Sequence, residues 1–127
     1  MALQLTVLDT TVLIDLLRGH GPARDYLAGL ERRLVCSEVT RTEIIQGLRS
    51  NERDAAENAF RVVRWVGVDE SIARRAGALG RRWRRSHRAL GLADLIIAAT
   101  TQELGAQLAT SNVRHFPMFS GLMTPYE

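Results

Sequence analysis

The stretch Leu3-Gln4-Leu5-Thr6-Val7-Leu8-Asp9-Thr10-Thr11-Val12-Leu13-Ile14-Asp15 decides the fold. Its first half, Leu3 to Leu8, is a short aliphatic run that reads as a strand buried on both faces, and it stops on a carboxylate. Its second half predicts a helix through Leu17: Thr10 and Thr11 offer capping hydroxyls, and Arg18-Gly19-His20-Gly21 ends the apolar pattern. Such a strand-to-helix junction opens a parallel α/β sheet, where functional groups gather beyond the carboxyl ends of the strands.

The same alternation continues along the chain. Pro22 starts a second helix carrying Tyr26, Leu27 and Leu30 at helical spacing. Leu34 to Cys36 is a second strand. Ser37 is the N-cap of a helix bearing Val39, Glu43, Ile44 and Leu48 and ending near Arg49. A further helix runs from Asn51 to about Val62. Arg64 to Val68 is a third strand, and Asp69 caps an arginine-rich helix from about Glu70 to Arg85. Leu92 to Leu104 is helical with Gly105 as its stop. Gln107 to Thr110 is a fourth strand, and the apolar piece around Leu122 is a candidate fifth. With no repeat, linker or low-complexity tract, residues 1–127 read as a single domain. The fold expected is a three-layer α/β/α sandwich around a central, mainly parallel sheet of four to five strands.

The chain has 127 residues and a net charge of +3, and all 17 of its basic residues are arginine. The lack of lysine excludes a P-loop, a Schiff-base enzyme and a receiver domain, each of which needs an amine. Arginine codons are GC-rich, so genomic composition alone accounts for the bias. An arginine-only surface nevertheless suits phosphate, which the planar fork binds through two hydrogen bonds. A pI near 10.0 favours a polyanionic partner. The single cysteine, Cys36, fits a reducing cytosol and a buried strand position. Met1-Ala2-Leu3-Gln4 has no signal-peptide pattern, and no apolar run is long enough to span a membrane.

Four polar residues carry the chemistry: Asp9, Glu43, Asp94 and Asn112. Asp94 interrupts Gly91-Leu92-Ala93-Asp94-Leu95-Ile96-Ile97-Ala98-Ala99, and Asn112 follows Leu108-Ala109-Thr110-Ser111. A lone ionised carboxylate among core aliphatics costs several kcal/mol. Several together repel one another, and a hard divalent cation with oxygen ligands resolves the repulsion. A metal-dependent nuclease has this machinery. No G-x-S-x-G, C-x-x-C or H-E-x-x-H pattern competes, and Thr11 stands where a D-x-D phosphotransfer motif needs its second aspartate.

The segments Leu8-Asp9-Thr10-Thr11-Val12-Leu13-Ile14-Asp15, Thr42-Glu43-Ile44, Asp94-Leu95-Ile96-Ile97-Ala98-Ala99 and Thr110-Ser111-Asn112-Val113-Arg114-His115-Phe116 together resemble the PIN domain. More closely, they resemble the VapC toxins of bacterial toxin–antitoxin pairs. The resemblance implies an endoribonuclease dependent on Mg²⁺ or Mn²⁺ that leaves 5′-phosphate and 3′-hydroxyl ends. It also implies a homodimer held inactive by a VapB-type antitoxin. Asp9, Glu43 and Asp94 match the metal-binding acids, Thr11 a supporting hydroxyl, and Asn112 the place of a fourth acid in many PIN domains. With an amide there, one metal is expected to bind well and a second weakly.

Each residue also has a bland reading. Asp9 could cap the following helix through its Thr11 and Val12 amides. Glu43 could be a solvated helix residue paired with an arginine, and Asp94 an acid favoured by a helix dipole. Asn112 could be a turn residue. Arg81-Arg82-Trp83-Arg84-Arg85-Ser86-His87-Arg88 is the basic patch. If the helix runs through it, Arg74, Arg81, Arg85 and Arg88 share one face, either as a solvated surface or as an RNA clamp. Arg114 and His115 could contact substrate. Leu16 and Leu17, with Tyr26, Leu27 and Leu30, could be core or part of a groove for an antitoxin segment. The rival readings are a catalytically weak PIN-like module that binds RNA or protein, and a phosphatase or DNA nuclease using the same acids.

Overall fold

The computed structural model describes residues 4–30 and 33–127. Its elements in chain order are β1 (Thr6–Leu8), α1 (Thr10–Leu17), α2 (Gly21–Leu30), β2 (Leu34–Ser37), α3 (Glu38–Gly47), α4 (Arg53–Phe60), β3 (Arg64–Val66), α5 (Glu70–Trp83), α6 (Leu92–Glu103) and β4 (Gln107–Ala109). A 3₁₀ turn at Val113–His115 follows β4.

The four strands form one all-parallel sheet in the order β3-β2-β1-β4. Thr6, Val7 and Leu8 pair with Gln107, Leu108 and Ala109 on one side, and Thr6 and Val7 pair with Leu34 and Val35 on the other. The period of two then sorts side chains between the faces. Leu8, Leu34, Cys36 and Ala109 pack with Val12, Leu13, Leu27 and Phe60 from α1, α2 and α4. Val7, Val35 and Leu108 pack with Ile97, Ala98 and Phe116. On that second face α5 lies over α6 through Ile72, Ala76, Leu95 and Ala99. The result is the α/β/α sandwich expected from sequence.

The strand order holds the functional information. The chain steps outward from β1 through β2 to β3, then returns across the sheet to place β4 on the other side of β1. Right-handed crossovers put helices on opposite faces when the direction of travel reverses, which agrees with α4 on one face and α6 on the other. The reversal makes the β1–β4 junction the topological switch point. In open parallel sheets, ligands bind in the crevice at such a point, beyond the strand ends. Asp9 directly follows β1, and its amide donates to Ala109 O at 2.9 Å.

Several local expectations are corrected. Leu3 lies outside the described residues, and Gln4 and Leu5 precede the strand. Asp9, not Thr10 or Thr11, is the N-cap of α1. The helix expected from Asn51 to Val62 is the shorter Arg53–Phe60, and the strand expected to reach Val68 ends at Val66. No fifth strand forms around Leu122: Gly121 takes φ +72 and Pro125 has no amide to donate, so that segment packs Leu122 against the core without joining the sheet. The arginine-rich helix ends at Trp83, with Arg84 as its C-cap, so Arg85 and Arg88 are not part of a continuous helical row.

Leu8 is fully buried in the central strand. Leu8→Ala removes its aliphatic contacts and leaves a void under α1. It is expected to cost about 3 kcal/mol of unfolding free energy, measured by urea titration.

Candidate active site

Asp9 is only 4% exposed, at the switch point, in the position where a charged group is hardest to keep. Its Oδ2 accepts hydrogen bonds from Thr110 Oγ1 at 2.7 Å and Thr11 Oγ1 at 2.9 Å. Burial nevertheless dominates and raises its pKa above the usual carboxylate value; the Thr110 and Thr11 hydroxyls and the Thr10 amide pull the other way, and the charge of Asp94 adds to the rise. The capping explanation fails, because the Asp9 side chain makes no cap hydrogen bond to α1. Two hydroxyls hold the carboxylate instead, Thr11 from the first turn of α1 and Thr110 just past β4.

Both hydroxyls are used twice. Thr110 Oγ1 also accepts from the Asn112 amide at 2.9 Å, and Thr11 Oγ1 accepts from the Ser111 amide at 3.4 Å. The loop that follows β4 is thus pinned to Asp9 through two threonines. Asn112 lies at the start of this loop's 3₁₀ turn, exposed, with no side-chain cap hydrogen bond. Its main chain is fixed while its amide side chain faces solvent.

Asp94 stands at the third position of α6, where its Oδ2 accepts from the Gly91 amide at 3.0 Å. The dipole-favoured role is therefore real for one oxygen. The same oxygen lies 3.0 Å from His115 Nδ1. An ionised carboxylate only accepts, so Nδ1 carries the hydrogen. Asp94 is half-buried and tied at once to the start of its own helix and to the turn beyond Asn112.

Glu43 is held by a relay rather than by an arginine. Thr10 Oγ1 donates to Glu43 Oε1 at 2.5 Å, and Thr40 Oγ1 lies 3.0 Å from Thr10 Oγ1. Thr10 has one hydroxyl hydrogen and spends it on Glu43, so Thr40 donates to Thr10. Thr10 follows Asp9 in the chain, so this relay attaches α3 to the same strand end. Short hydrogen-bond paths thus join Asp9, Asn112 and Asp94, while Glu43 reaches the same strand end through Thr10, the chain neighbour of Asp9. Among the described residues, however, no three histidine, cysteine or carboxylate side chains pack tightly enough to hold a metal ion by themselves.

Sequence reasoning missed the residues that do the holding. Thr110, fully buried, donates to Asp9, Thr10 donates to Glu43, and Thr40 supports Thr10. His115, which could contact substrate, also engages Asp94, a contact the sequence does not reveal. The available signal was weak: threonines just past the ends of β1 and β4 and one in the first turn of α3. Of the arginines, Arg81, Arg85, Arg88 and Arg114 are exposed. Among the described residues none of these four makes an ion pair, in contrast to Arg18, Arg41, Arg74 and Arg75. Arg74, the first member of the expected row, is spent on Glu70 at 2.7 Å. Asp15 accepts from Tyr126 OH at 2.7 Å, which ties the end of the chain to α1. Cys36 is buried and its thiol pKa is pushed far up by burial, so it is a packing residue.

The PIN domain matches residues 6–118, a span that includes all four site candidates. The chain belongs to the PIN-domain family. Within it, the chain is 45% identical over 123 residues to the ribonuclease VapC19 of Mycobacterium tuberculosis, covering 94% of this chain and 98% of that one. It is 44% identical to the ribonuclease VapC10 of the same organism, covering 94% and 92%. Among solved structures, a toxin–antitoxin complex from Klebsiella pneumoniae superposes with a TM-score of 0.79 at 30% identity, covering 96% and 98%. The chain is thus a PIN-domain ribonuclease toxin of the VapC kind, in a family whose ribonucleases are typically metal-dependent. Among the described residues no helix is long and apolar enough to cross a membrane.

The raised pKa of Asp9 has a consequence for stability. A carboxyl whose folded-state pKa lies above its unfolded value favours folding when protonated, and that contribution fades as pH rises through the folded pKa. At neutral pH the ionised Asp9 is therefore a cost to the metal-free protein. Asp9→Asn is expected to raise the melting temperature at pH 7 in EDTA, with the gain shrinking toward pH 4. Thermal scans across that range check it; an unchanged or lower melting temperature at pH 7 would show that the hydroxyl bonds outweigh burial.

Proposed function

We propose that residues 1–127 act as a single PIN domain that cleaves RNA internally, using Mg²⁺ or Mn²⁺ at a site built from Asp9, Asp94, Glu43 and Asn112. The observation that carries this reading is the state of the two central carboxylates. In both Asp9 and Asp94 the Oδ2 atom takes two hydrogen bonds from the protein. Among the described residues no side chain donates to Oδ1 of either acid, so that oxygen can serve as a ligand. Hard divalent cations prefer such oxygens and keep open positions for phosphate and water, so a cage of three side chains is not required. Glu43, exposed and steadied by Thr10, and the free Asn112 amide supply further oxygen donors at the rim.

When bound, the cation supplies Lewis acidity, lowering the pKa of water and neutralising charge on the phosphodiester. The protein's own part is positional. Thr11 and Thr110 keep Asp9 ionisable against desolvation, His115 and the Gly91 amide fix the rotation of Asp94, and the Thr10–Thr40 relay holds Glu43. Arg81, Arg85, Arg88 and Arg114, unpaired among the described residues, neutralise the RNA backbone.

The partner reading draws on the opposite face. Leu16, Leu17, Ala55, Asn58, Ala59 and Val62 line an open groove of about 300 Å³ between α1 and α4, and Val62 is 54% exposed. Leu27 is buried and Tyr26 packs on Tyr126, so those two belong to the core rather than to the groove. An amphipathic segment of a VapB-type antitoxin fits an apolar strip of this kind. The working form is a homodimer in the cytosol.

Purified chain freed of any partner and incubated with structured RNA should yield discrete fragments with Mg²⁺ or Mn²⁺ and none in EDTA. Asp94→Asn is expected to lower the cleavage rate at least about a hundredfold. Matched DNA should survive. Failure of folded wild-type protein to cut RNA under either metal would leave the binding module as the better account.

A separate change tests Asn112. Asn112→Asp adds a charged oxygen at the rim and should tighten Mn²⁺ binding, followed by calorimetry. Unchanged affinity would place Asn112 outside the metal's ligands.

A further inference from the structure

Between α5 and α6 runs an open cleft of about 830 Å³, the size of a small-molecule site. Its walls are apolar: Val68 two residues beyond β3, small residues of α5, and Leu92, Leu95 and Ile96 of α6. Its rim is Arg81, Arg84, Arg85 and Arg88, with no carboxylate among the lining residues. The early end of α5 turns the chain here, so arginines that a longer helix would have spread along one face instead border a hollow. None of the four makes an ion pair among the described residues.

Leu92 is 72% exposed and Val68 is 44% exposed, which leaves apolar surface uncovered beside a concentrated positive charge. A ligand for such a cleft needs a flat apolar body and negative charge on its flanks. A nucleobase between two phosphates has both. Arginine is suited to each part, since its planar guanidinium stacks on a base and forks onto a phosphate. Leu92 is also two residues before Asp94, in the same first turn of α6, so cleft and candidate active site share one rigid element. A second copy of this chain is less suited, because two arginine rims would face each other.

Building on the reading of the chain as a ribonuclease, we propose that the α5–α6 cleft receives an unpaired nucleobase next to the scissile phosphate. Arg81, Arg84, Arg85 and Arg88 hold the flanking phosphates. The cleft then selects loops and single strands, because a base stacked inside a duplex cannot enter it.

The test uses Asp94→Asn protein, to prevent cleavage, and two fluorescent RNA oligomers of equal length and phosphate number. One carries all its bases and the other has abasic sites at its centre. By fluorescence anisotropy the abasic oligomer should bind about tenfold more weakly. Adding Leu92→Asn should weaken the complete oligomer by a similar factor and leave the abasic one unchanged. Arg85→Ala should weaken both and lower the salt slope by about one. Because Leu92 is exposed, its replacement leaves the core intact; circular dichroism verifies this. A base-dependent ratio that survives Leu92→Asn overturns the proposal. So does a Leu92→Asn variant that changes only from dimer to monomer in sedimentation, which would make the cleft a self-association surface. If wild-type protein still cleaves RNA in either case, only the cleft assignment falls. If it neither cleaves nor binds RNA, the ribonuclease reading falls with it.

Discussion

The desolvated carboxylate of Asp9 is the constraint around which the structure is arranged. It sits at the end of the central strand because β1 is flanked on both sides, and at the switch point because β4 returns across the sheet. An ionised group there is costly unless it is hydrogen-bonded. Thr110 and Thr11 meet that need, and in doing so they fix the loop after β4 through the Asn112 and Ser111 amides. One electrostatic problem thus determines where Asp9 points and where Asn112 begins its turn.

Threonine serves this purpose throughout the site. A β-branched hydroxyl has few rotamers and presents one hydrogen in a well-defined direction, so it orients an acid without adding charge. Thr10, Thr11, Thr40 and Thr110 do this at three different element boundaries, and Thr6, Thr100 and Thr101 are buried elsewhere in the fold. A lysine or arginine in the same places would also stabilise the acids, but its charge would compete with a cation for them. Among the described residues no basic side chain hydrogen-bonds to Asp9 or Glu43, which is consistent with that division of tasks.

The helices and the four strands were legible because each depends on local pattern, aliphatic runs and capping residues; the same pattern made Asp9, Glu43, Asp94 and Asn112 stand out as polar side chains beside apolar stretches. The order β3-β2-β1-β4 was not read, since which strands become neighbours depends on crossover geometry rather than on any single segment. The partners Thr110–Asp9 and His115–Asp94 were missed for the same reason; they are 101 and 21 residues apart in the chain. The fifth strand was an error of a different kind. The apolar residues near Leu122 do contribute to the core, but burial of a side chain does not require a ladder of backbone hydrogen bonds. The arginine-rich helix stops short of Arg85 because the chain turns after Trp83, where Ser86 Oγ donates back to Trp83 O at 3.2 Å.

That turn also explains why so much positive charge remains available. Cations are favoured near a helix C-terminus, so Arg81 and Arg82 in the last turn of α5 assist the helix that carries them. The acids of the same helix lie at its other end: Glu70 pairs with Arg74, and Arg75 reaches across to Glu103 of α6. Among the described residues, charge within this element is therefore neutralised near the start and left unpaired near the end. The unpaired end lies beside the first turn of α6, which carries Asp94. Helix electrostatics alone would place arginines there in a protein with no nucleic-acid partner. What they do not explain is the exposed leucine among them, because an apolar side chain in contact with water gains nothing from a helix dipole. The combination of free arginine and bare aliphatic surface is accounted for by a ligand with both characters, and the phosphate and base of RNA provide them in one nucleotide.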